Sequence, residues 1–162
     1  MSERIELYFL RHADAGDPDG WTGPDAERPL SPKGRRQAER LGRHLKAIGF
    51  APDAILTSPK VRAAETAGLV ADPLDLDVST DARLGSGFDM TTVEAILDAA
   101  GSPRKAVLVG HDPDFSELLA ELVGAASVPM KKGAIARVDV ELPIEPGEAV
   151  LRWLIPPDAL PE

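Results

Sequence analysis

The chain has 162 residues, a formal net charge of −9 and no cysteine. This length predicts a single domain over residues 1–162, and the missing cysteines exclude disulfides, thiolate nucleophiles and cysteine-ligated zinc. The negative charge argues against nucleic acid as a partner, because binding to its backbone needs a basic surface. No apolar run approaches the roughly 20 residues that span a bilayer, and no apolar segment follows a basic N-terminus, so we expect a cytoplasmic protein with no membrane partner.

The first predicted element is a buried strand that ends in charged residues. A nearly continuous apolar run over residues 5–10 is followed at once by Arg11 and His12. In an open α/β sheet, ligands bind just beyond the carboxyl ends of the strands. These two side chains therefore predict a phosphate site in which Arg11 holds the anion and His12 attacks it. The alternative for such a short motif is a surface charge beside a structural loop histidine.

A long loop and a helix come next. Residues 13–30 are polar and interrupted by glycine and proline, and loops of this length are usually functional or disordered. Trp21 in the loop is either part of a lid or a local anchor, and we favour the anchor. Ser31 and Pro32 are typical of an N-cap and a first helical position, so they predict a helix start. The apolar face of this helix is predicted to contain Ala38, Leu41, Leu45 and Ile48.

The second strand is predicted over residues 54–57, and Ser58 and Pro59 repeat the signal for a helix start. Arg62 then lies in the first turn of that helix. Backbone N–H groups and the positive end of the helix dipole already favour anions at this position. A cation is mildly unfavourable there by itself, and a bound anion would account for it.

Two further helix starts are predicted downstream. A short strand is expected near residues 77–79, after which Thr91 and Glu94 have the spacing of a capping box. Asp112 and Pro113 are again typical of an N-cap and a first helical position.

The third buried strand is predicted over residues 106–110 and, like the first, ends in a histidine, His111. Residues 134–142 and 149–155 predict an antiparallel hairpin that closes one edge of the sheet. The expected fold is therefore an α/β protein, a three-layer α/β/α sandwich with a mainly parallel sheet and an antiparallel edge.

The strand ends and helix starts contribute a set of two histidines and two arginines to one region: Arg11, His12, Arg62 and His111. Catalysis of phosphoryl transfer is mostly positioning and charge stabilisation. Two guanidinium groups can hold the nonbridging oxygens bidentately. One neutral imidazole can act as the nucleophile, and the second can stabilise charge on the transferring group.

Segments throughout the chain match one known family. The matching segments are Leu10–Ala15, Arg28–Ala38, Thr57–Ala67, Val107–Pro113, Lys132–Ala136 and Leu151–Trp153. In this order and spacing they resemble the histidine phosphatase superfamily, which has the phosphoglycerate-mutase-like fold. Within that superfamily, the chain looks like the SixA-type phosphohistidine phosphatases.

The resemblance implies a role for each residue of the predicted site. His12 would be the phosphorylated nucleophile, Arg11 and Arg62 would bind the phosphoryl oxygens, and His111 would complete the pocket. The family needs no metal, and no cofactor is expected. Three further residues match family positions near the pocket and are expected to contact substrate: Arg28, Gly133 and Ala134.

Two positions depart from the family pattern. Ala13 replaces the usual glycine after the Arg-His pair, which suggests an ordinary backbone conformation, and Ser86 stands where many members carry a general-acid glutamate. A phosphate ester leaves as a basic alkoxide and needs a proton donor, whereas phosphohistidine leaves as an imidazole whose conjugate acid has a pKa of about 6.5. The missing glutamate therefore favours P–N over P–O hydrolysis, unless Asp14 or Asp89 acts as the acid.

The expected function is hydrolysis of phosphohistidine on a protein, either a phosphohistidine carrier or a histidine kinase domain, through a covalent intermediate on His12. One alternative is a small-molecule phosphomonoesterase that uses the same site with an aspartate as its acid. A second alternative is a phosphoprotein-binding module without turnover, although binding alone would not need two imidazoles. We expect a monomer.

Overall fold

The computed structural model describes residues 3–162, which form one six-stranded sheet with four α-helices on its faces. The strands are β1 (Glu3–Arg11), β2 (Ala54–Thr57), β3 (Ser79–Thr80), β4 (Lys105–Gly110), β5 (Ile135–Leu142) and β6 (Val150–Ile155). The helices are α1 (Pro32–Ala47), α2 (Val61–Leu74), α3 (Met90–Ala99) and α4 (Asp114–Val123).

The sheet has the strand order β3-β2-β4-β1-β5-β6. The first four strands of this order are parallel to one another, whereas β5 is antiparallel to both β1 and β6. The predicted mainly parallel sheet with an antiparallel hairpin at its edge is therefore confirmed. None of the helices in residues 3–162 combines the length and the hydropathy required to span a bilayer.

Alternating side chains of β1 supply the two cores of the molecule, because successive residues of a strand point to opposite faces. Leu7 and Phe9 pack with α3 and α4, for example against Phe115. Tyr8 and Leu10 pack on the other face with α1 and α2. Helices therefore cover both faces of the sheet, which confirms the predicted three-layer sandwich.

Helix α1 begins where the sequence predicts. Ser31 is the N-cap, its Oγ accepts a hydrogen bond from the backbone N–H of Gly34 at 3.0 Å, and Pro32 is the first helical residue. The predicted core residues Ala38, Leu41 and Leu45 are buried. The assignment of Ile48 to the apolar face is wrong, because the helix ends at Ala47 and Ile48 is 60% exposed.

Helix α2 begins two residues later than predicted. Lys60 is its N-cap, and no side chain caps the helix. Ser58 is fully buried at the end of β2, and its Oγ lies 2.7 Å from Nε2 of His111. The prediction fails because this hydroxyl bonds to the neighbouring strand end instead of to the first turn of the helix.

Helix α3 is capped by Asp89, and the predicted capping box is wrong. The Asp89 carboxylate accepts a hydrogen bond from the backbone N–H of Thr92 at 3.1 Å. Thr91 lies within the first turn, and the Glu94 carboxylate accepts from the backbone N–H of Ile144 instead of from the helix start. An aspartate two residues before Thr91 reaches the free N–H groups first.

Helix α4 begins one residue later than predicted, with Pro113 as its N-cap. The Asp112 carboxylate still serves the helix start, because it accepts hydrogen bonds from both the backbone N–H and the hydroxyl of Ser116. Asp112 therefore accepts hydrogen bonds from the first turn of α4, although it lies one residue before the N-cap.

Candidate active site

The central strands β1 and β4 place two histidines side by side. The two strands are parallel, and Arg11 pairs with Gly110 at their carboxyl ends. His12 and His111 follow directly, each is 6% exposed, and their ring centroids lie 5.3 Å apart. The backbone N–H of His12 also donates to the carbonyl of Gly110 at 3.0 Å. The register of two buried strands thus sets the spacing of the imidazoles.

The geometry of His12 leaves one ring nitrogen with a free lone pair. Its Nδ1 lies 2.7 Å from the carbonyl oxygen of Ala13. A carbonyl only accepts, so we assign the proton to Nδ1 and the lone pair to Nε2. Burial, together with the positive charges of Arg62, Arg11 and Lys132, lowers the pKa of His12 to about 4, although the hydrogen bond to Ala13 acts in the opposite direction. His12 is therefore neutral at pH 7, as a nucleophile must be.

His111 is held by the serine at the end of β2. Its Nε2 lies 2.7 Å from Oγ of Ser58. Burial and the neighbouring positive charges, which are His12 when it is protonated, Lys60, Arg62 and Arg11, together lower the pKa of His111 to about 3. Among the residues that the structure describes, Nδ1 of His111 is buried without a hydrogen-bond partner.

The two site arginines are both anchored at one end of the guanidinium group. Nη1 of Arg11 donates to the carbonyl of Met130 at 2.7 Å and lies 3.5 Å from the carboxylate of Asp112. Nη1 of Arg62 donates to the backbone carbonyl of Asp25 at 2.9 Å, and its Nη2 donates to the Asp25 carboxylate at 3.1 Å. Nε of each arginine is buried and has no partner within residues 3–162. Such an N–H group is available to an anionic ligand.

Ala13 joins the first strand end to α2. Its backbone N–H donates to Oγ1 of Thr66 at 3.1 Å, and the same hydroxyl donates to the carbonyl of Arg62 at 2.7 Å. Ala13 is fully buried and does not have a positive φ. The expected ordinary backbone conformation at this departure from the family pattern is therefore observed.

Arg28 lies in the loop that precedes α1 and contacts that loop. It is buried, its Nη1 donates to the carbonyl of Ala15 at 2.7 Å, and its Nε donates to the Asp25 carboxylate at 3.3 Å. Trp21 is a local anchor in the same loop, because its Nε1 donates to the carbonyl of Pro24 at 2.9 Å. Arg28 is linked to Arg62 through Asp25, and its contact with substrate stays a prediction.

The turn at Gly133 supports the backbone of the site. The N–H of Gly133 donates to the carbonyls of Arg11 and His12 at 3.1 and 3.0 Å, and Gly133 has a φ of +80°. The carbonyl of Ala134 accepts from the N–H of Arg11 at 3.1 Å. These two residues therefore fix the first strand end, and their contact with substrate stays a prediction.

Neither aspartate considered as a general acid is held in its protonated form. The Ser31 hydroxyl donates to the Asp14 carboxylate at 2.6 Å and lowers the pKa of that carboxyl below its ordinary value. Hydrogen bonds from Thr91 and Thr92 likewise lower the pKa of Asp89. Both residues therefore carry a carboxylate at neutral pH and accept hydrogen bonds.

The segment that lacks the family glutamate borders the site. The carbonyl of Leu84 lies 3.5 Å from the position that a Cβ on Gly110 would occupy, and Gly85 lies against Pro59. Ser86 is exposed.

In the part of the chain that the structure describes, no group of three or more histidine, aspartate or glutamate residues is arranged to hold a metal ion.

Sequence patterns miss two residues of this site. The Ser58-Pro59 pair predicts a helix cap, although Ser58 directly follows a buried strand, as His12 and His111 do. No sequence pattern marks Asp25, because its hydrogen bond to Arg62 joins residues 37 positions apart in the chain. No local pattern predicts a contact between a loop and a helix start at that separation.

The comparisons with known proteins agree with this architecture. The profile of the Histidine phosphatase superfamily (branch 1) matches residues 7–87. An uncharacterized protein of Mycobacterium tuberculosis is 35% identical over 144 residues, which cover 88% of this chain and 86% of that protein. Phosphohistidine phosphatase SixA of Escherichia coli is 28% identical over 158 residues, or 94% of each chain.

A solved structure of the protein histidine phosphatase SixA in complex with tungstate superimposes with a TM-score of 0.80 at 27% sequence identity. The match covers 95% of this chain and 98% of that one. The chain therefore belongs to the histidine phosphatase superfamily, branch 1, and within it is similar to SixA.

Proposed function

We propose that this protein hydrolyses phosphohistidine on a partner protein through a covalent phosphohistidine on His12. Membership of the superfamily supports phosphatase activity, and the similarity to SixA favours a phosphohistidine substrate. The observation that carries the proposal is the neutral His12, whose Nε2 lone pair shares a buried site with two arginines that each leave an Nε–H group free.

In the first step, Nε2 of His12 attacks phosphorus while the bond between phosphorus and the substrate imidazole breaks. Arg11 and Arg62 bind the nonbridging oxygens and stabilise the charge that they carry in the transition state. The proton stays on Nδ1 of His12, which keeps its hydrogen bond to the carbonyl of Ala13. The phosphoenzyme is thus an imidazolium whose second nitrogen is already satisfied.

In the second step, water adds its oxygen to phosphorus and the P–N bond to His12 breaks. Dihydrogen phosphate leaves, and Nε2 regains its lone pair. His111 needs no additional proton for its role: when its Nε2 accepts from the Ser58 hydroxyl, its Nδ1, which has no partner within residues 3–162, carries the N–H that donates to the transferring group.

The leaving group distinguishes phosphohistidine from phosphate esters as substrates. A substrate imidazole leaves as a neutral ring when its other nitrogen already carries a proton, so no general acid is required. An alkoxide would need one. Ser86 replaces the glutamate, and hydrogen bonds hold Asp14 and Asp89 as carboxylates. This set of residues supports P–N hydrolysis over hydrolysis of a phosphate ester.

The test compares hydrolysis rates of a phosphohistidine protein, a phosphoserine peptide and an aryl phosphate by wild type and by His12→Ala. We expect a strong preference for phosphohistidine that the variant loses, with ³²P label trapped on wild type only. Faster turnover of either phosphate ester would favour a phosphomonoesterase with an acid elsewhere in the site. Binding of the phosphoprotein without turnover by wild type would identify a binding module instead.

A further inference from the structure

Asp25 connects the two buried arginines on one side of the site. Its Oδ2 accepts from Nη2 of Arg62 at 3.1 Å, and its Oδ1 accepts from Nε of Arg28 at 3.3 Å. Its backbone carbonyl accepts from Nη1 of Arg62 at 2.9 Å. The Asp25 side chain is 60% exposed, whereas the Arg62 side chain is 8% exposed. The exposed carboxylate of Asp25 therefore binds the buried guanidinium of Arg62 on the side of this group that faces the loop.

These contacts fix which edge of Arg62 faces a ligand. A guanidinium group is planar and presents its five N–H groups in a rigid fork. Both terminal nitrogens of Arg62 donate to Asp25, so the plane and the rotation of the fork are set. Nε of Arg62 is left buried and without a partner among residues 3–162. The edge that contains Nε is thereby available to an oxyanion.

We propose that Asp25 is a positioning residue of the phosphoryl site: it orients Arg62 so that the Nε edge of this arginine meets the phosphoryl oxygens. The inference rests on the proposed function, since it takes Arg62 as a phosphoryl ligand. Arg28 contributes indirectly, because it binds both Asp25 and the carbonyl of Ala15 and so holds the loop over the start of α2.

A carboxylate near an anion site also has an opposite effect. Its negative charge repels the ligand, and its removal by itself would strengthen anion binding. The repulsion and the positioning can be separated with two substitutions. Asp25→Asn removes the charge and keeps one oxygen that can accept from Arg62, whereas Asp25→Ala removes both.

The experiment measures tungstate affinity by calorimetric titration of wild type, Asp25→Ala, Asp25→Asn and Asp19→Ala. Asp19 is an exposed acid of the same loop with no side-chain hydrogen bond to either arginine, so its variant reports the loss of one loop charge. We expect Asp25→Ala to bind tungstate about fivefold more weakly than Asp19→Ala, since a partly exposed hydrogen bond between charged groups is lost. We expect Asp25→Asn to recover at least half of the lost affinity on a logarithmic scale.

Equal or tighter binding by Asp25→Ala would overturn the inference, because repulsion would then be the only effect of the carboxylate. An Asn variant as weak as the Ala variant would overturn it as well. If Asp25→Ala does not fold, Asp25→Ser replaces it, with a thermal melt of each variant as the check. Tungstate binding needs no turnover, so a wild type that binds the anion but hydrolyses no phosphohistidine would refute the proposed function alone.

Discussion

Burial sets the protonation state of both histidines in the site. Each ring lies at the end of a central strand, where desolvation disfavours the charged imidazolium, and the neighbouring cations act in the same direction. The chain has a net charge of −9, yet the local charge around these rings is positive. The nucleophile is thus kept neutral by its surroundings and needs no separate base.

The pH dependence of kcat/KM follows from the lowered pKa of His12. The free enzyme loses activity only when His12 gains a proton, so we expect no loss from this group between pH 7 and pH 5 and a decline towards its pKa of about 4. The measurement is kcat/KM on a phosphohistidine protein, with spontaneous hydrolysis and substrate ionisation determined at every pH. A decline centred near pH 6.5 would show that His12 titrates like an exposed histidine.

At the scale of secondary structure, strand ends could be predicted and helix starts only partly. Apolar runs identify β1, β2 and β4, and polar residues directly after them identify Arg11, His12 and His111. Ser31 is a cap as predicted because its Oγ accepts from the backbone N–H of Gly34, although the same hydroxyl also donates to Asp14. Ser58 has the same local sequence signal but bonds to His111, and such a tertiary contact is not encoded in local spacing.

The uncapped start of α2 leads to a prediction about Lys60. This residue is the N-cap, has extended backbone angles, and offers no side-chain acceptor to the helix. Lys60→Ser should stabilise the protein by about 0.5–1 kcal/mol through a cap hydrogen bond. Lys60→Asp should stabilise it at least as much, because a negative charge also suits this end of the helix.

The same two variants should differ in activity. The positive charge of Lys60 helps to lower the pKa of His111, so this position acts on the site. An aspartate there places a negative charge near His111, and we expect kcat/KM for a phosphohistidine protein to fall about tenfold or more relative to Lys60→Ser. Urea unfolding gives the stability, and steady-state rates give the activity. Similar rates for the two variants would show that a charge at position 60 does not affect substrate binding or the reaction.

The stability of the whole molecule should depend on pH through the same two histidines. Their pKa values are about 4 and 3 in the folded protein and about 6.5 in an unfolded chain. Between these values the unfolded state binds more protons than the folded state, so the free energy of unfolding rises with pH in this window. The stabilising contribution of the two histidines reaches its full value above about pH 6.5. Acidification from pH 7 to pH 5 should therefore destabilise the protein.

Urea unfolding of wild type and His12→Ala across pH 5–8 measures this dependence. The variant lacks one of the two groups, so its free energy of unfolding should change less with pH than that of wild type. Parallel curves for the two proteins would contradict the assignment of the effect to His12.

The antiparallel position of β5 has a practical consequence. This strand starts at Ile135 beside Leu10 and ends at Leu142 beside Glu3, so the turn that follows lies at the opposite end of the sheet from the histidines. Residues 145–148 of this turn are exposed. A fluorophore or affinity handle attached there would leave the end of the sheet that contains the two histidines unobstructed.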